Sequence, residues 1–496
     1  MEMGGKVEFQ YQLLDAGEIM LATSGNLITG YKNSSVSYVF IDSREVTSNS
    51  LFVALMGEQL DGHDFIESSL KNGACIILVD SEHANKDEQL YLTLSKKYDN
   101  ATFISVKNTL YALQKLSSYY LKKMNIDTRI GVTGSSGKTT VKEMVASIFA
   151  TEGYRTFLTE GNLNSSTGVP LSIFKIRGEQ YDVAVFEVGM NRRGEIREIT
   201  EIITPHIAVV TNVGTAHIGM LGSREAIAGE KGEIFSLFEE SSVGIIPDCE
   251  FTHQFMEGRN GKFIVVDADY LKRFEGSRSI GLDGCILNYD GMEIHLPLLG
   301  DHNIYNAILA IAVAEQRGIT KAHVKEAFEK MKAVPGRAEL KKGRTTCLFD
   351  CYNANPDSMQ KAIELYNDFS TERQKIAILG SMLELGEESL KAHETTCFLI
   401  SKTKSDAVFL MGDEMLEGFA SFAKKNGVDE TSLSGLDSLH FKIKDIEYFL
   451  YKDDEMERLK EDVKARVREG AFVLLKASHG LHFERLEDVL IGNEER

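Results

Sequence analysis

A lysine and two threonines follow a glycine-broken turn at residues 133–140, in the loop TGSSGKTT. Loops of this kind let successive backbone N–H groups converge on phosphate oxygens. Gly134 and Gly137 can take turn conformations closed to other residues, Lys138 can reach β- and γ-phosphates, and the Thr139 hydroxyl can bind Mg²⁺. The usual phosphate-loop spacing would put glycine at 132; this chain has Val132 there and glycine at 134, which marks a subtype. Two further residues could share such a site. Glu187 closes the apolar run VAVFE, where a nucleotide-hydrolysing enzyme needs a carboxylate for Mg²⁺, and His217 follows in TNVGTAH. Taken alone, a histidine like His217 is more often a hydrogen-bonded structural residue.

These groups need strands and helices to hold them. TRIGVT before the loop reads as a buried strand. After it, Val141, Met144, Val145, Ile148 and Phe149 recur at helical spacing, setting a helix N-terminus against the phosphates. DVAVFEV (182–188) and IAVVTNV (207–213) are further short apolar runs of the parallel-sheet kind, so residues 126–334 read as a doubly wound α/β domain. CLFDCY, KIAILGS, AVFLMG and AFVLLKAS predict a second α/β domain over 335–496, starting where Pro335 and Gly336 interrupt the preceding helix. Residues 1–125 form a mixed zone with β-like runs such as VSYVFIDS and SLFVALMG. SREAIAGEKGEIFSLFEE (223–240) reads as one helix with Ile227, Ile234, Leu237 and Phe238 on its apolar face, which makes Lys231 a solvated surface lysine. Shielded near a metal, a lysine of lowered pKa could instead take up CO₂ as a carbamate. Asn303 and Asn306 read as helix caps, and Asn355 as an N-cap with Pro356 at the first helical position of a helix that buries Met359, Ile363 and Tyr366.

Composition narrows the function classes. The 496 residues exceed what one core supports, predicting several domains. The longest clean apolar run, AILAIAVA (307–314), is too short to span a membrane, and the opening MEMGGKVEFQYQLLDAGEIM lacks the pattern of a secretory signal. Six scattered cysteines with no CxxC favour neither disulfides nor zinc, as in a reduced, cytoplasmic protein. A net charge of −19 argues against nucleic acid or an anionic membrane as partner. It also requires any nucleotide to be held by Mg²⁺ and locally placed cations.

Taken together, GVTGSSGKTTVKEM, FEVGMNRRGEI, TNVGTAHIGMLGSREAIAGEKGEIF, GDHNIYNAILA, VPGRAE, DCYNANPDSM and ILGSMLELGEES with His393 resemble the Mur ligase family over nearly the whole chain. Within it, Lys142 and Glu143 after GKTT, GMNRRGEI and YNANP resemble the branch that joins D-alanyl-D-alanine to UDP-N-acetylmuramoyl-tripeptide. The resemblance implies three α/β domains: a UDP-sugar-binding domain (1–125), a central ATP-binding domain (126–334) and a Rossmann-like domain binding the incoming dipeptide (335–496). It implies ATP contacts at Thr133, Gly134, Ser135, Ser136, Gly137, Lys138, Thr139, Thr140, Asn306, Arg337 and Asp350, and Mg²⁺ at Thr139, Glu187, His217 and a carbamylated Lys231. Lys138, Glu187, His217, Lys231, Arg337 and Asp350 would form the catalytic set. Asp42, Ser43, Arg44, Asp61, Gly62, His63 and Phe65 match the segment for the UDP-sugar end. Asn162, Asn164 and Ser165, with Asn353 and Asn355, match segments facing the peptide and dipeptide. An acyl-phosphate mechanism is implied, with the C-terminal domain closing near Pro335; a monomer is the expectation, independent of the resemblance. Val188, Arg192, Arg193, Ser381 and LLKASHG depart from the family pattern, leaving Lys476, Ser478 and His479 as secondary candidates. A folylpolyglutamate synthase-like ligase and a non-catalytic nucleotide switch are the alternatives.

Overall fold

The computed structural model describes residues 11–57, 59–99, 101–178, 181–369, 372–428 and 440–492. The first ten residues, half of the stretch read for a leader, lie outside that range. Three large sheets follow one another along the chain, and a two-stranded and a three-stranded sheet accompany them. The first contains β1 (Asn26–Thr29), β2 (Tyr38–Phe40), β3 (Ser50–Val53), β4 (Ala74–Asp80) and β5 (Thr102–Val106), in the order β1-β5-β4-β3-β2. β1 is antiparallel to β5, and the remaining pairs are parallel.

The second contains β6 (Thr128–Thr133), β7 (Thr156–Leu158), β8 (Val183–Glu187), β9 (Ile207–Val210), β10 (Val243–Pro247) and β11 (Lys262–Val266), in the order β11-β10-β9-β6-β8-β7. β8 is parallel to β6 and β7, and β10 to β11. Buried on both faces, β6, β8 and β9 are the unalternating apolar runs that a helix-covered sheet requires. The third contains β12 (Glu339–Lys342), β13 (Thr346–Asp350), β14 (Lys375–Gly380), β15 (Ala407–Met411), β16 (His440–Ile443), β17 (Ile446–Tyr451) and β18 (Phe472–Lys476), ordered β12-β13-β18-β14-β15-β17-β16. Its inner pairs are parallel and its two edge pairs antiparallel.

By its internal contacts the chain divides into two compact units. One holds residues 1–132, 154–208 and 233–242; the other holds 133–153, 209–232 and 243–496. The second contains α1 (Lys138–Glu152), whose Val141, Met144, Val145, Ile148 and Phe149 are fully buried, as their spacing predicts. At roughly 1.5–3 kcal/mol per buried side chain, this face fixes the helix far more firmly than its intrinsic propensity could.

Two expectations need correction. The helix over 223–240 is shorter: α2 runs Arg224–Gly232 and gives way to a 3₁₀ turn at Glu233–Phe235. Gly229 and Gly232 weaken this stretch, and Leu237 lies exposed while Ile227, Ile234 and Phe238 are buried. The second correction concerns α3 (Asp301–Glu315), which starts after Gly300, so Asn303 and Asn306 are buried inside the helix and cap nothing. The cap at α4 (Pro356–Asp368) is as expected: Asn355 accepts from Ser358 N–H, Ser358 Oγ accepts from Asn355 N–H, Pro356 starts the helix, and Met359, Ile363 and Tyr366 are buried. All six cysteines are free.

Candidate functional site

In the second unit the phosphate loop is held from behind by the segment following β9. Thr211 Oγ1 donates to Ser136 O (2.6 Å), Ser136 N–H donates to Asn212 Oδ1 (3.1 Å), and Asn212 Nδ2 donates to Ser136 Oγ (2.9 Å). Both loop glycines are sterically required. Gly134 has φ +151° and a Cβ there would lie 1.8 Å from Thr211 Oγ1; Gly137 has φ +79° and its Cβ would lie 2.5 Å from Asn306 Oδ1. Thr133 and Thr139 are buried, Thr140 is half-buried, and Lys138 Nζ donates to Gly134 O (2.8 Å). Val132 explains the subtype: it is a strand residue, paired in register with Glu187.

Asn306 meets this loop from inside α3. Its Nδ2 donates to Asn303 Oδ1 (3.0 Å), and Asn303 Nδ2 donates to Leu299 O (2.9 Å), so the two amides brace one another instead of closing a helix end. His217, at φ +66°, is pushed down to about 4 by burial, with the Lys138 charge adding to the effect, and therefore presents a neutral imidazole at ordinary pH. Glu384 lies 3.6 Å from its Nδ1. Lys231 is 1% exposed, which overturns the surface reading of its helix position. Burial, reinforced by Lys138, holds its amine well below the usual lysine range. A neutral amine is the form that adds to CO₂.

The C-terminal candidates gather at the ends of β13 and β18. Asp350 and Lys476 are register partners; Lys476 Nζ donates to Asp350 Oδ2 (2.6 Å) and to Asn353 O (3.1 Å). Lys476 is thus raised from a secondary candidate to a direct neighbour of Asp350. Arg337 stacks over Tyr352 at 4.2 Å, and its Nε is buried with no hydrogen-bond partner among the described residues. Asn353 Oδ1 accepts from Ala354 N–H (2.8 Å), and Asn355 is occupied by its cap. Ser478 Oγ accepts from Leu383 N–H (3.0 Å), and His479 lies edge-on to Tyr352. Ser381 accepts from Met415 N–H (3.1 Å) at the start of the helix Asp413–Lys425. His393 is structural: its Nε2 accepts from Met382 N–H (2.8 Å) and its Nδ1 lies 2.8 Å from Ser389 O.

The first unit contributes separately. Glu187 is 2% exposed at the end of β8, and its Oε1 accepts from Asn164 Nδ2 (2.9 Å). This contact joins two candidates that sequence assigned to different ligands. Ser165 Oγ accepts from Gly168 N–H (3.0 Å), and Asn162 is exposed. Asp42 is bound by Arg44, which holds its carboxyl at about 2, and Ser43 O accepts from Asn72 Nδ2 (2.9 Å). Gly62 lets its backbone pass Leu55, where a Cβ would lie 2.7 Å from the Leu55 N and O. Phe65 O accepts from the Ser68 and Ser69 hydroxyls.

Asp61, His63 and His83 converge, with the rings stacked 3.8 Å apart and His63 Nδ1 and His83 Nε2 lying 2.6 and 3.0 Å from the carboxylate. The protons argue against a metal there. His63 Nε2 accepts from Asp80 N–H (3.0 Å), so its Nδ1 carries the proton; a metal on Nδ1 would force a proton onto Nε2, against that amide.

The chain belongs to the Mur ligase family. "Mur ligase family, catalytic domain" matches residues 35–120, "Mur ligase middle domain" 132–314 and "Mur ligase, glutamate ligase domain" 336–479. Among curated relatives, the UDP-N-acetylmuramoyl-tripeptide--D-alanyl-D-alanine ligase of Treponema pallidum is 38% identical, covering 96% of this chain and 99% of its own. MurF of Acinetobacter baumannii superposes with a TM-score of 0.80 at 24% identity, covering 98% of this chain and all of that one, a likeness of fold. MurF of Thermotoga maritima, solved with ADP, has a TM-score of 0.71 at 28% identity, covering 91% and 96%.

Sequence reasoning missed Thr211, Asn212, His83 and Asp357. Asn212 and Thr211 carried a faint signal, as polar residues directly after an apolar strand; Asp357 carried none.

Proposed function

We propose that this chain is an ATP-dependent amide ligase of peptidoglycan precursor synthesis, joining D-alanyl-D-alanine to UDP-N-acetylmuramoyl-tripeptide to give UDP-N-acetylmuramoyl-pentapeptide, ADP and phosphate. The observation that carries this is the end-to-end similarity to a ligase of that name, at 38% identity over 96% of the chain. Residues 1–125 hold the UDP-sugar end through Asp42, Ser43, Arg44, Asp61, Gly62, His63 and Phe65. Residues 126–334 hold ATP, and 335–496 hold the dipeptide. Asn162, Asn164 and Ser165 face the acceptor peptide, and Asn353 and Asn355 the dipeptide. The enzyme works as a cytoplasmic monomer; among the described residues no helix is long and apolar enough to cross a membrane.

Backbone N–H groups of the loop and Lys138 grip the ATP phosphates, Asn306 the adenine end, and Asp350 and Arg337 the ribose and phosphates. The orphaned Arg337 Nε suits this role, since a phosphate oxygen would satisfy it. A tripeptide carboxylate oxygen attacks the γ-phosphorus of ATP; the new O–P bond forms, the bond to the β–γ bridging oxygen breaks, and ADP leaves. The dipeptide amine, having lost its extra proton, then attacks the acyl carbon; the C–N bond forms, the C–O bond to phosphate breaks, and inorganic phosphate leaves. Lys138 and Arg337 oppose the charge that develops on the transferring group.

The donor set fits Mg²⁺. In the second unit the Thr139 hydroxyl and a Lys231 carbamate offer hard oxygens, with His217 as a neutral nitrogen donor, and in the first unit Glu187 offers a carboxylate. Bound there, the ion would neutralise phosphate charge. A phosphate-release assay tests the function: release with ATP and UDP-N-acetylmuramoyl-tripeptide should depend on added D-alanyl-D-alanine and yield the pentapeptide. Release indifferent to both substrates overturns it.

A further inference from the structure

Asp357 occupies the second position of α4, where an acid ordinarily does no more than complement the helix N-terminus. The cap there is already complete without it, through Asn355 and Ser358. Its Oδ2 instead accepts from Thr215 N–H (2.8 Å) and from the Thr215 hydroxyl (3.1 Å), 142 residues earlier in the chain.

The segment it binds is fastened on its other side to the phosphate loop. Gly214 N–H donates to Ser135 Oγ (2.9 Å), and Ser135 N–H donates to Asn212 O (3.2 Å). Glycine is needed at 214 for both contacts to coexist, because a Cβ would lie 2.3 Å from Asp357 Oδ2 and 3.2 Å from Ser135 Cβ. A second contact follows at Gly219, where a Cβ would lie 2.7 Å from the Leu385 carbonyl carbon. The stretch 214–219 is therefore clasped at two points by the chain beyond Pro335, and at one of them by a charged acceptor that receives two hydrogen bonds.

We propose that Asp357 is a positioning residue for ligation. Through Thr215 and Gly214 it sets the start of α4, and with it Asn353 and Asn355, in register with the phosphate loop. The dipeptide amine is thereby held where the activated carboxyl forms. The role rests on the ligase reading given above; the bridge itself does not. Losing two hydrogen bonds to a carboxylate should lower kcat/KM for D-alanyl-D-alanine by about 10- to 100-fold in Asp357→Ala, chiefly through KM, with affinity for a non-hydrolysable ATP analogue changed by less than about threefold. Asp357→Asn keeps a carbonyl acceptor for Thr215 N–H and should stay within about fivefold of the wild type.

Hydrogen exchange of the peptide spanning 211–219 supplies the readout independent of activity. Asp357→Ala should speed exchange at Thr215 and leave α1 unchanged, whereas a variant that is merely less stable speeds both. Unchanged exchange at Thr215, or a wild-type KM alongside faster exchange, overturns the proposal; should Asp357→Ala not fold, a 10-fold or greater loss in Asp357→Asn overturns it too. If the wild-type chain shows no dipeptide-dependent phosphate release, the ligase reading fails, and the exchange result still decides whether the bridge exists.

Discussion

Gly137→Ala isolates what the phosphate loop owes to geometry. The residue has φ +79° and caps α1, so alanine there incurs the left-handed penalty of about 1–2 kcal/mol. It also brings a Cβ to 2.5 Å from Asn306 Oδ1. Relief requires Asn306 to swing away and give up its bond to Asn303, a further loss of about 1 kcal/mol. The expected total is about 2–3 kcal/mol, drawn from the loop that must grip nucleotide. Gly153, at the other end of the same helix, is the control: it has φ +103° and nothing within 4 Å of its Cβ, so Gly153→Ala incurs the backbone penalty alone. Titration with a fluorescent ATP analogue should show about 10- to 100-fold weaker binding for Gly137→Ala and less than about threefold for Gly153→Ala. Adding Asn306→Ala to Gly137→Ala should recover the stability lost to the clash, read by urea denaturation. Equal effects of the two glycine substitutions, or no recovery in the double variant, would refute the reasoning.

Three further outcomes follow from the buried charges. His217 has a folded pKa of about 4 against an unfolded value near 6.5, so the unfolded chain binds the extra proton between those values; stability is intact above pH 6.5 and falls by up to about 3 kcal/mol as the pH drops to 4. Denaturation midpoints of His217→Asn should be flatter across that window. Lys476→Met leaves Asp350 facing an apolar group and should cost about 3 kcal/mol in urea titrations, while Lys476→Met with Asp350→Asn should cost less than the sum of the two single changes. With ¹³C-labelled CO₂, the wild type should show a carbamate carbon signal that Lys231→Gln lacks, and ligation by Lys231→Gln should fall at least about 100-fold; an unchanged signal would exclude Lys231 as its bearer.

The parts legible in the sequence were those written as local pattern. The strand, glycines and apolar face around Lys138, and the Asn355-Pro356 helix start, each lie within a few residues, and each is found as expected. Lys231 was misleading because its burial depends on what packs over α2, not on the spacing of α2 itself. Asn306 was misread for a related reason: helix starts allow a shift of a few residues, and that shift turned a cap into a buried brace. Asp357 and Thr215 are 142 residues apart, and no periodicity carries information over that distance. Family resemblance supplied roles that residue types alone left open, above all for Asp350 and Arg337.

The central claim is that phosphate leaves from an activated carboxyl of the tripeptide. Tripeptide substrate labelled with ¹⁸O in its terminal carboxylate, incubated with ATP, Mg²⁺ and D-alanyl-D-alanine, tests this directly by mass spectrometry. The account predicts one ¹⁸O in each released phosphate and one in the new amide. Unlabelled phosphate formed together with pentapeptide would contradict it.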